Sequence, residues 1–412
     1  MQARVIERFA LSPTTVSRTS PRPDLSEKWS RVEAIDMVRG TAMLFVCLAH
    51  FSGAYLAPRG ISSSELFAIV SMIASPSFMI ISGMTAGFLG ASHPLALPHL
   101  RRRLLDRGLF LLLVGHLLLA LSQAERSGGI LAACRLSFIT DPIAIAIMFG
   151  PRMVGRSRAT TRVVLALGLL VLGWSLVVLW HPTNGVGWAL KSYTVGTVAP
   201  DASGLRPVSF PLCEWIAVYL LGTVLGEHVG QLFRSEPDVA RRLFLRTGLA
   251  SSGGGLWLYF SAKELAKFKV MHAGVATSLY LTSPTQKFPP GPAYLLFFGG
   301  CGLMLMWLVL YLERHQRFPA ILRFLQRFGQ ASLIVYLVQA FVYGTLIREI
   351  VYTRWWPAVF FITLALLGAV AAAWCRIDGN RFLTVGITSL LDRRAQRRKL
   401  ALYGRAIETV RR

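Results

Sequence analysis

The chain is 412 residues long, 54% apolar and only 16% charged, with a formal net charge of +24 and a mean hydropathy of +0.52. Ordinary soluble domains carry about 25% charged residues, so the composition excludes a soluble enzyme and predicts an integral membrane protein. The basic excess would suit a nucleic-acid binder only if it gathered on one face. It falls between apolar runs, with no zinc-ligand spacing, zipper or aromatic–basic interleaving, so neither a nucleic-acid partner nor a metal is expected.

Residues 1–33 are polar, basic and rich in Pro and Ser, without the apolar core and cleavage site of a signal peptide, and predict a loose cytoplasmic tail. Ten apolar runs of membrane-crossing length follow, at about 34–57, 66–90, 108–122, 130–150, 163–180, 209–230, 248–262, 293–313, 328–348 and 357–375. The expected fold class is therefore all-α, a polytopic membrane domain over 34–375 with about ten transmembrane helices, followed by a basic tail over 376–412. An even number of spans leaves both termini on one side. Of the 44 Lys and Arg residues, 32 fall on that side, 10 on the other, and Arg39 and Arg135 inside spans. The positive-inside rule then makes both termini cytoplasmic. The tail run "DRRAQRRK", Asp392 to Lys399, adds attraction to anionic membrane lipids. Cys47, Cys134, Cys213, Cys301 and Cys375 lie in or at the ends of spans, odd in number and widely separated, and predict small buried residues rather than disulfides.

The first span, "AIDMVRGTAMLFVCLAHF" from Ala34 to Phe51, carries Asp36, Arg39 and His50. An ionisable group near the bilayer centre costs about 2.5–3.5 kcal/mol on insertion scales, so three in one helix ask for a function or for partners. Arg39 and His50 are 11 residues apart, which puts them on one face roughly 16 Å apart along the axis, with Asp36 about 40° to the side. A cation at the cytoplasmic end and a titratable imidazole deep in the membrane suit a long amphiphile such as acyl-coenzyme A. The plainer alternative is that Asp36 and Arg39 pair at i, i+3 and Arg39 snorkels to the head groups, with His50 a satisfied core histidine.

Further along, His116 sits among leucines, as a helix contact rather than a catalyst, and "SSGGGLW", Ser251 to Trp257, predicts a broken helix or a packing groove. Arg135 and Asp141, six residues apart, do not share a face and each is expected to turn inward; Glu214 lies near the outer end of its span. Segments 181–208 and 263–292 are the long outer loops able to shape a pocket, and the second carries His272. Trp180, Trp188, Trp355 and Trp356 stand near outer span ends as interfacial anchors.

"IDMVRGTAMLFVCLAH", Ile35 to His50, resembles the first span of the transmembrane acyltransferase superfamily, which includes the type-three acyltransferases, periplasmic glucan succinyltransferases and heparan-alpha-glucosaminide N-acetyltransferase relatives. "SPSFMIISGMTAGF" is similar to the family's second span, with Phe78, Ser82 and Gly83 at its Phe and Ser-Gly positions. "RRRLLDRG", Arg101 to Gly108, resembles its basic cytoplasmic run, and "QKFPPGPAYLLFFGG" its Lys-x-Pro-Pro stretch, placing Lys287 outside. "FGQASLIVYLVQAF", Phe328 to Phe341, looks like a Gly-x-x-Ser-Leu-x-x-Tyr-Leu-x-His run in which Gln339 replaces the histidine.

The resemblance implies transfer of an acyl group, acetyl or similar, from cytoplasmic acyl-coenzyme A to a hydroxyl or amine of an extracytoplasmic carbohydrate, in a bacterial inner membrane. Acyl-coenzyme A acts there as co-substrate, with no tightly bound cofactor. Its catalytic candidates are His50, as general base, and Asp36, as the partner of Arg39. Arg39, Arg102, Arg103 and Arg107 become contacts for coenzyme phosphates, and Ser82, Lys287 and Asp141 face the substrates. For the basic run, the positive-inside signal is an equally good explanation. Two rival readings stand beside this one: a transporter with an intramembrane charged relay, and a catalytically inactive relative, to which Gln339 points.

Overall fold

The computed structural model describes residues 33–92, 97–198, 210–267, 279, 281–350 and 354–386; the first basic tail apart from Glu33, most of the second, and His272 lie outside the described residues. Among the described residues the regular elements are helical. In chain order they are α1 (Glu33–Phe51), α2 (Ser63–Ser71), α3 (Ala74–Ser92), α4 (Leu97–Phe110), α5 (His116–Ser127), α6 (Ile130–Ala133), α7 (Thr140–Met153) and α8 (Ala159–Leu179). These are followed by α9 (Gly185–Thr194), α10 (Leu212–Ser235), α11 (Pro237–Ala266), α12 (Pro292–Arg314), α13 (Pro319–Gln330), α14 (Ser332–Gly344) and α15 (Trp356–Arg376). Wider π-helical turns at Ser52–Leu56 and Leu111–Gly115 extend α1 and join α4 to α5. One follows His50 and the other precedes His116, each re-aiming the residues beyond it by the extra residue such a turn takes in.

Eight helical stretches among the described residues are long and apolar enough to cross a membrane: Glu33–Arg59, Ser63–Ser92, Leu100–Ser127, Ala159–Leu179, Leu212–Leu232, Pro292–Arg314, Ser332–Glu349 and Trp356–Arg376. The two other expected spans take a different form. Residues 130–150 split into the four-residue α6 and the 14-residue α7, and 14 residues reach only about 21 Å against a hydrocarbon core of about 30 Å. Residues 248–262 lie within the 30-residue α11. It is ample in length, but Arg241, Arg242 and Arg246 dilute its apolar character.

Lipid tails are as apolar as leucine, so helices in a membrane are held together by close packing and by polar contacts rather than by exclusion of water. The chain supplies glycines where backbones touch. A Cβ on Gly87 of α3 would stand 1.9 Å from the Thr223 carbonyl oxygen of α10, and one on Gly226 would stand 2.1 Å from that of Met84. Beside this contact the fully buried Arg162, near the start of α8, donates to Thr223 Oγ1 at 2.9 Å and pairs with Glu227. A second contact joins α1 to α13, where Cβ atoms on Gly40 and Gly329 would meet the carbonyls of Leu325 and Asp36 at 1.9 and 1.8 Å. The triple glycine of α11 is not a break. The helix runs through it, Gly255 packs on Ala293 and Phe297 of α12, and Gly253 and Gly254 face open space.

Gly87→Leu is expected to lower the stability of the detergent-purified protein by about 1–3 kcal/mol through overpacking against α10. Gly254→Ala, which meets no neighbour, is expected to leave it unchanged or slightly raised. Thermal midpoints followed by tryptophan fluorescence compare the two.

Candidate active site

The regular turn of α1 puts Asp36 and Arg39 near its start and His50 near its end. Asp36 is 3% exposed, with its carbonyl against Gly329. Its carboxylate accepts from the Arg39 guanidinium at 3.4 Å, and Arg39 also donates to Thr85 Oγ1 of α3 at 3.2 Å. Arg39 therefore bridges α1 to α3 one helical turn beyond Ser82, which is half-buried. Asp36 is about 21 Å along the helix from His50, so it can orient Arg39 and cannot share a proton with the imidazole.

His50 is exposed, although Cys47 and Phe51 on either side of it are fully buried. Three residues on, Gly53 is exposed too and has nothing within 4 Å of where a Cβ would lie. Tyr336 of α14 stands beside the ring at 6.2 Å between centroids, and Lys287 and Arg126 lie within electrostatic reach. The imidazole thus keeps an exposed side although Tyr336 and Gln339 flank it.

The ring is held by Gln339. His50 Nδ1 and Gln339 Oε1 are 2.8 Å apart, and Gln339 Nε2 donates to the Tyr336 carbonyl at 3.1 Å. A backbone carbonyl can only accept, so the amide nitrogen must face Tyr336 and the amide oxygen must face the imidazole. That oxygen in turn can only accept, so Nδ1 carries the proton. Nε2 is left with its lone pair directed away from Gln339. Gln339 itself is fully buried, which keeps the arrangement rigid.

A second polar group gathers around His116. Its Nδ1 lies 3.0 Å from Asp141 Oδ1 and its Nε2 3.1 Å from the Cys134 carbonyl, while Asp141 Oδ2 accepts from the Phe138 amide at 2.8 Å. Both ring nitrogens face acceptors, so the imidazole has no free lone pair and acts as a strut between α5 and the start of α7. Tyr193 of α9 closes the side by donating to the Arg135 carbonyl at 2.5 Å.

Lys287, in the loop before α12, lies half-buried with Nζ 5.1 Å from the Phe288 ring centre and 6.0 Å from that of Phe210. Burial pulls its pKa down to about 8, so near neutral pH the ammonium is cationic but close to losing its proton. Of the basic run, Arg101 is spent on the Pro151 and Val154 carbonyls at the end of α7, at 2.9 and 2.6 Å. Arg102 and Arg103 are exposed, and Arg107 is half-buried.

The structure thus brings His50, Lys287, Tyr336 and Gln339 together. It joins Asp36 to Arg39, pairs Asp141 with His116, and leaves Ser82 and the basic run apart from the imidazole. Sequence reasoning missed Gln339 as the partner of His50. Its signal was the departure from the Tyr-Leu-x-His pattern, which marks the position without showing what it faces.

No curated protein matches the chain. The profile of the family described as the acyltransferase domain, that of the type-three acyltransferases, matches residues 32–374, from the threshold of α1 almost to the end of α15. With its apolar helical bundle and the match along most of its length, the chain belongs to the type-three acyltransferase family of integral membrane proteins.

Proposed function

We propose that this acyltransferase moves a short acyl group, acetyl or similar, from cytoplasmic acyl-coenzyme A to a hydroxyl or amine of an extracytoplasmic carbohydrate, in a bacterial inner membrane with both termini in the cytoplasm. The observation that carries the reading is the Gln339 amide held against Nδ1 of His50, an arrangement that leaves the Nε2 lone pair for a substrate proton. The uneven distribution of Lys and Arg supports the orientation.

In this mechanism Nε2 of His50 takes the proton of the acceptor as its oxygen or nitrogen attacks the thioester carbonyl carbon. The new C–O or C–N bond forms, the C–S bond breaks, and the protonated imidazole returns its proton to the departing thiolate. The products are the acylated acceptor and free coenzyme A. Lys287, within electrostatic reach of the imidazole, offers a positive charge to the oxyanion of the tetrahedral intermediate. Arg39, held between Asp36 and Thr85, supplies a fixed cation for the anionic coenzyme. Gln339 does for His50 what an acceptor nitrogen of histidine would do, so the departure from the family's pattern preserves the base.

Transfer from radiolabelled acetyl-coenzyme A by protein in nanodiscs tests the scheme. His50→Gln is expected to lower kcat by about 100- to 10,000-fold, the usual worth of a general base, with insertion and thermal midpoint retained; an active variant overturns the assignment. Gln339→Glu is expected to keep transfer and Gln339→Leu to lose most of it, since only the former presents an acceptor to Nδ1. Lys287 is cationic below about 8 and neutral above it. Activity is therefore expected to fall as pH rises through that value, and Lys287→Arg should abolish the fall, because a guanidinium keeps its charge. A folded protein that neither binds nor turns over any short acyl-coenzyme A would favour a transporter.

A further inference from the structure

Between α13 and α15 lies an open cleft of about 310 Å³. Its wall on α13 is a single helical stripe that includes Arg323, Phe324, Arg327 and Phe328, and the facing wall on α15 is made of small residues, Gly368 and Ala372 among them. The Phe324 ring closes over Gly368, where a Cβ would stand 2.9 Å from it, and stacks on Phe328 with centroids 5.2 Å apart. The floor is thus aromatic and aliphatic, and the rim is cationic. Arg323 and Arg327 are one turn apart on α13, and both are exposed. Among the described residues neither guanidinium has a carboxylate or carbonyl partner, in contrast to Arg39, Arg101, Arg162 and Arg314.

We propose that this cleft binds one anionic phospholipid, with its phosphate between Arg323 and Arg327 and the first part of an acyl chain along Gly368 and Ala372. Three features select this occupant. Two planar guanidiniums at the spacing of one helical turn match the oxygens of a phosphodiester. The volume stands at the lower end of ligand pockets, enough for a head-group phosphate, its glycerol and a few methylenes. The neighbouring face of α15 exposes Phe361, Ile362 and Leu366 at 65, 68 and 47%, a surface made for lipid tails on which the rest of the chain can lie.

The site also has a lever on the bundle. Arg327 and Gln330 tie α13 to the end of α15 through Cys375 and Asn380, the latter donating to the Gln330 carbonyl at 2.9 Å. On its opposite side α13 carries the Gly329 contact with Asp36 of α1. A lipid bracing α13 against α15 therefore stabilises the seat of α1.

The test uses full-length protein in neutral detergent, titrated with phosphatidylglycerol, phosphatidylcholine or inorganic phosphate. Retained lipid is counted by native mass spectrometry and the thermal midpoint is followed in parallel. Phosphatidylglycerol is expected to stay bound and raise the midpoint, while phosphatidylcholine and inorganic phosphate do neither. The Arg323→Gln/Arg327→Gln variant is expected to bind phosphatidylglycerol about 10- to 30-fold more weakly, the loss of two charges near a membrane surface. A charge-matched control, Arg317→Gln/Arg381→Gln, is expected to bind as wild type does. Ala372→Leu keeps both charges but fills the chain-binding end, and is expected to weaken binding as well; it decides the matter if the double arginine variant fails to fold. Equal retention of the two lipids, undiminished binding by the Arg323 and Arg327 variant or by Ala372→Leu, or equal protection by inorganic phosphate would each overturn the proposal.

Discussion

The fold depends on backbone touching backbone. In a lipid solvent no hydrophobic force presses helices together, so a pair stays in register only where small residues let main chains meet. The contact of Gly40 with Gly329 is the one on which the site rests. His50 lies ten residues after Gly40, and Gln339 ten residues after Gly329. With α1 seated on α13 at that point, the turn at Ala331 sends α14 along α1 so that the two side chains arrive within 2.8 Å of each other. A larger residue at either glycine would shift that register, although each lies ten residues from the His50–Gln339 pair.

The polar residues follow the same logic from the other side. A charged or polar group in a membrane needs a partner, and the partner decides what the group can still do. Arg162 has Thr223 and Glu227 and is used up in joining α8 to α10. His116 has acceptors at both nitrogens and is used up in holding α7. His50 has a partner at one nitrogen only. His50 and His116 thus differ in chemistry because of what surrounds them, and the half-satisfied one keeps an exposed side.

Much of this was legible in the sequence, for reasons that differ by residue. Apolar run length is a direct consequence of bilayer thickness, so most spans could be read from it. It failed at residues 130–150, where total length hid a break between Ala133 and Thr140, while residues 248–262 form part of a longer continuous helix. Helical periodicity placed Arg39 and His50 on one face because it depends only on local geometry. The pairing of Asp141 with His116 crosses 25 residues, and that of His50 with Gln339 crosses 289; local period carries no information at such separations. Positive charge between the spans could not separate Arg101, tied to carbonyls, from the exposed Arg102 and Arg103, because all three satisfy the same topological bias.

Replacing histidine by glutamine at position 339 has a physical consequence beyond keeping an acceptor in place. A histidine there would have to present an unprotonated nitrogen to His50, so its usefulness would depend on its own tautomer and charge. An amide does not titrate. Its orientation is set by the Tyr336 carbonyl, which accepts from Nε2 whatever the pH. In the proposed mechanism the ionisations that control this site are thereby reduced to those of His50, which would carry the proton being moved, and Lys287, whose charge would steady the reaction. A fixed acceptor at position 339 holds the neutral imidazole in the one tautomer that leaves Nε2 as its basic nitrogen.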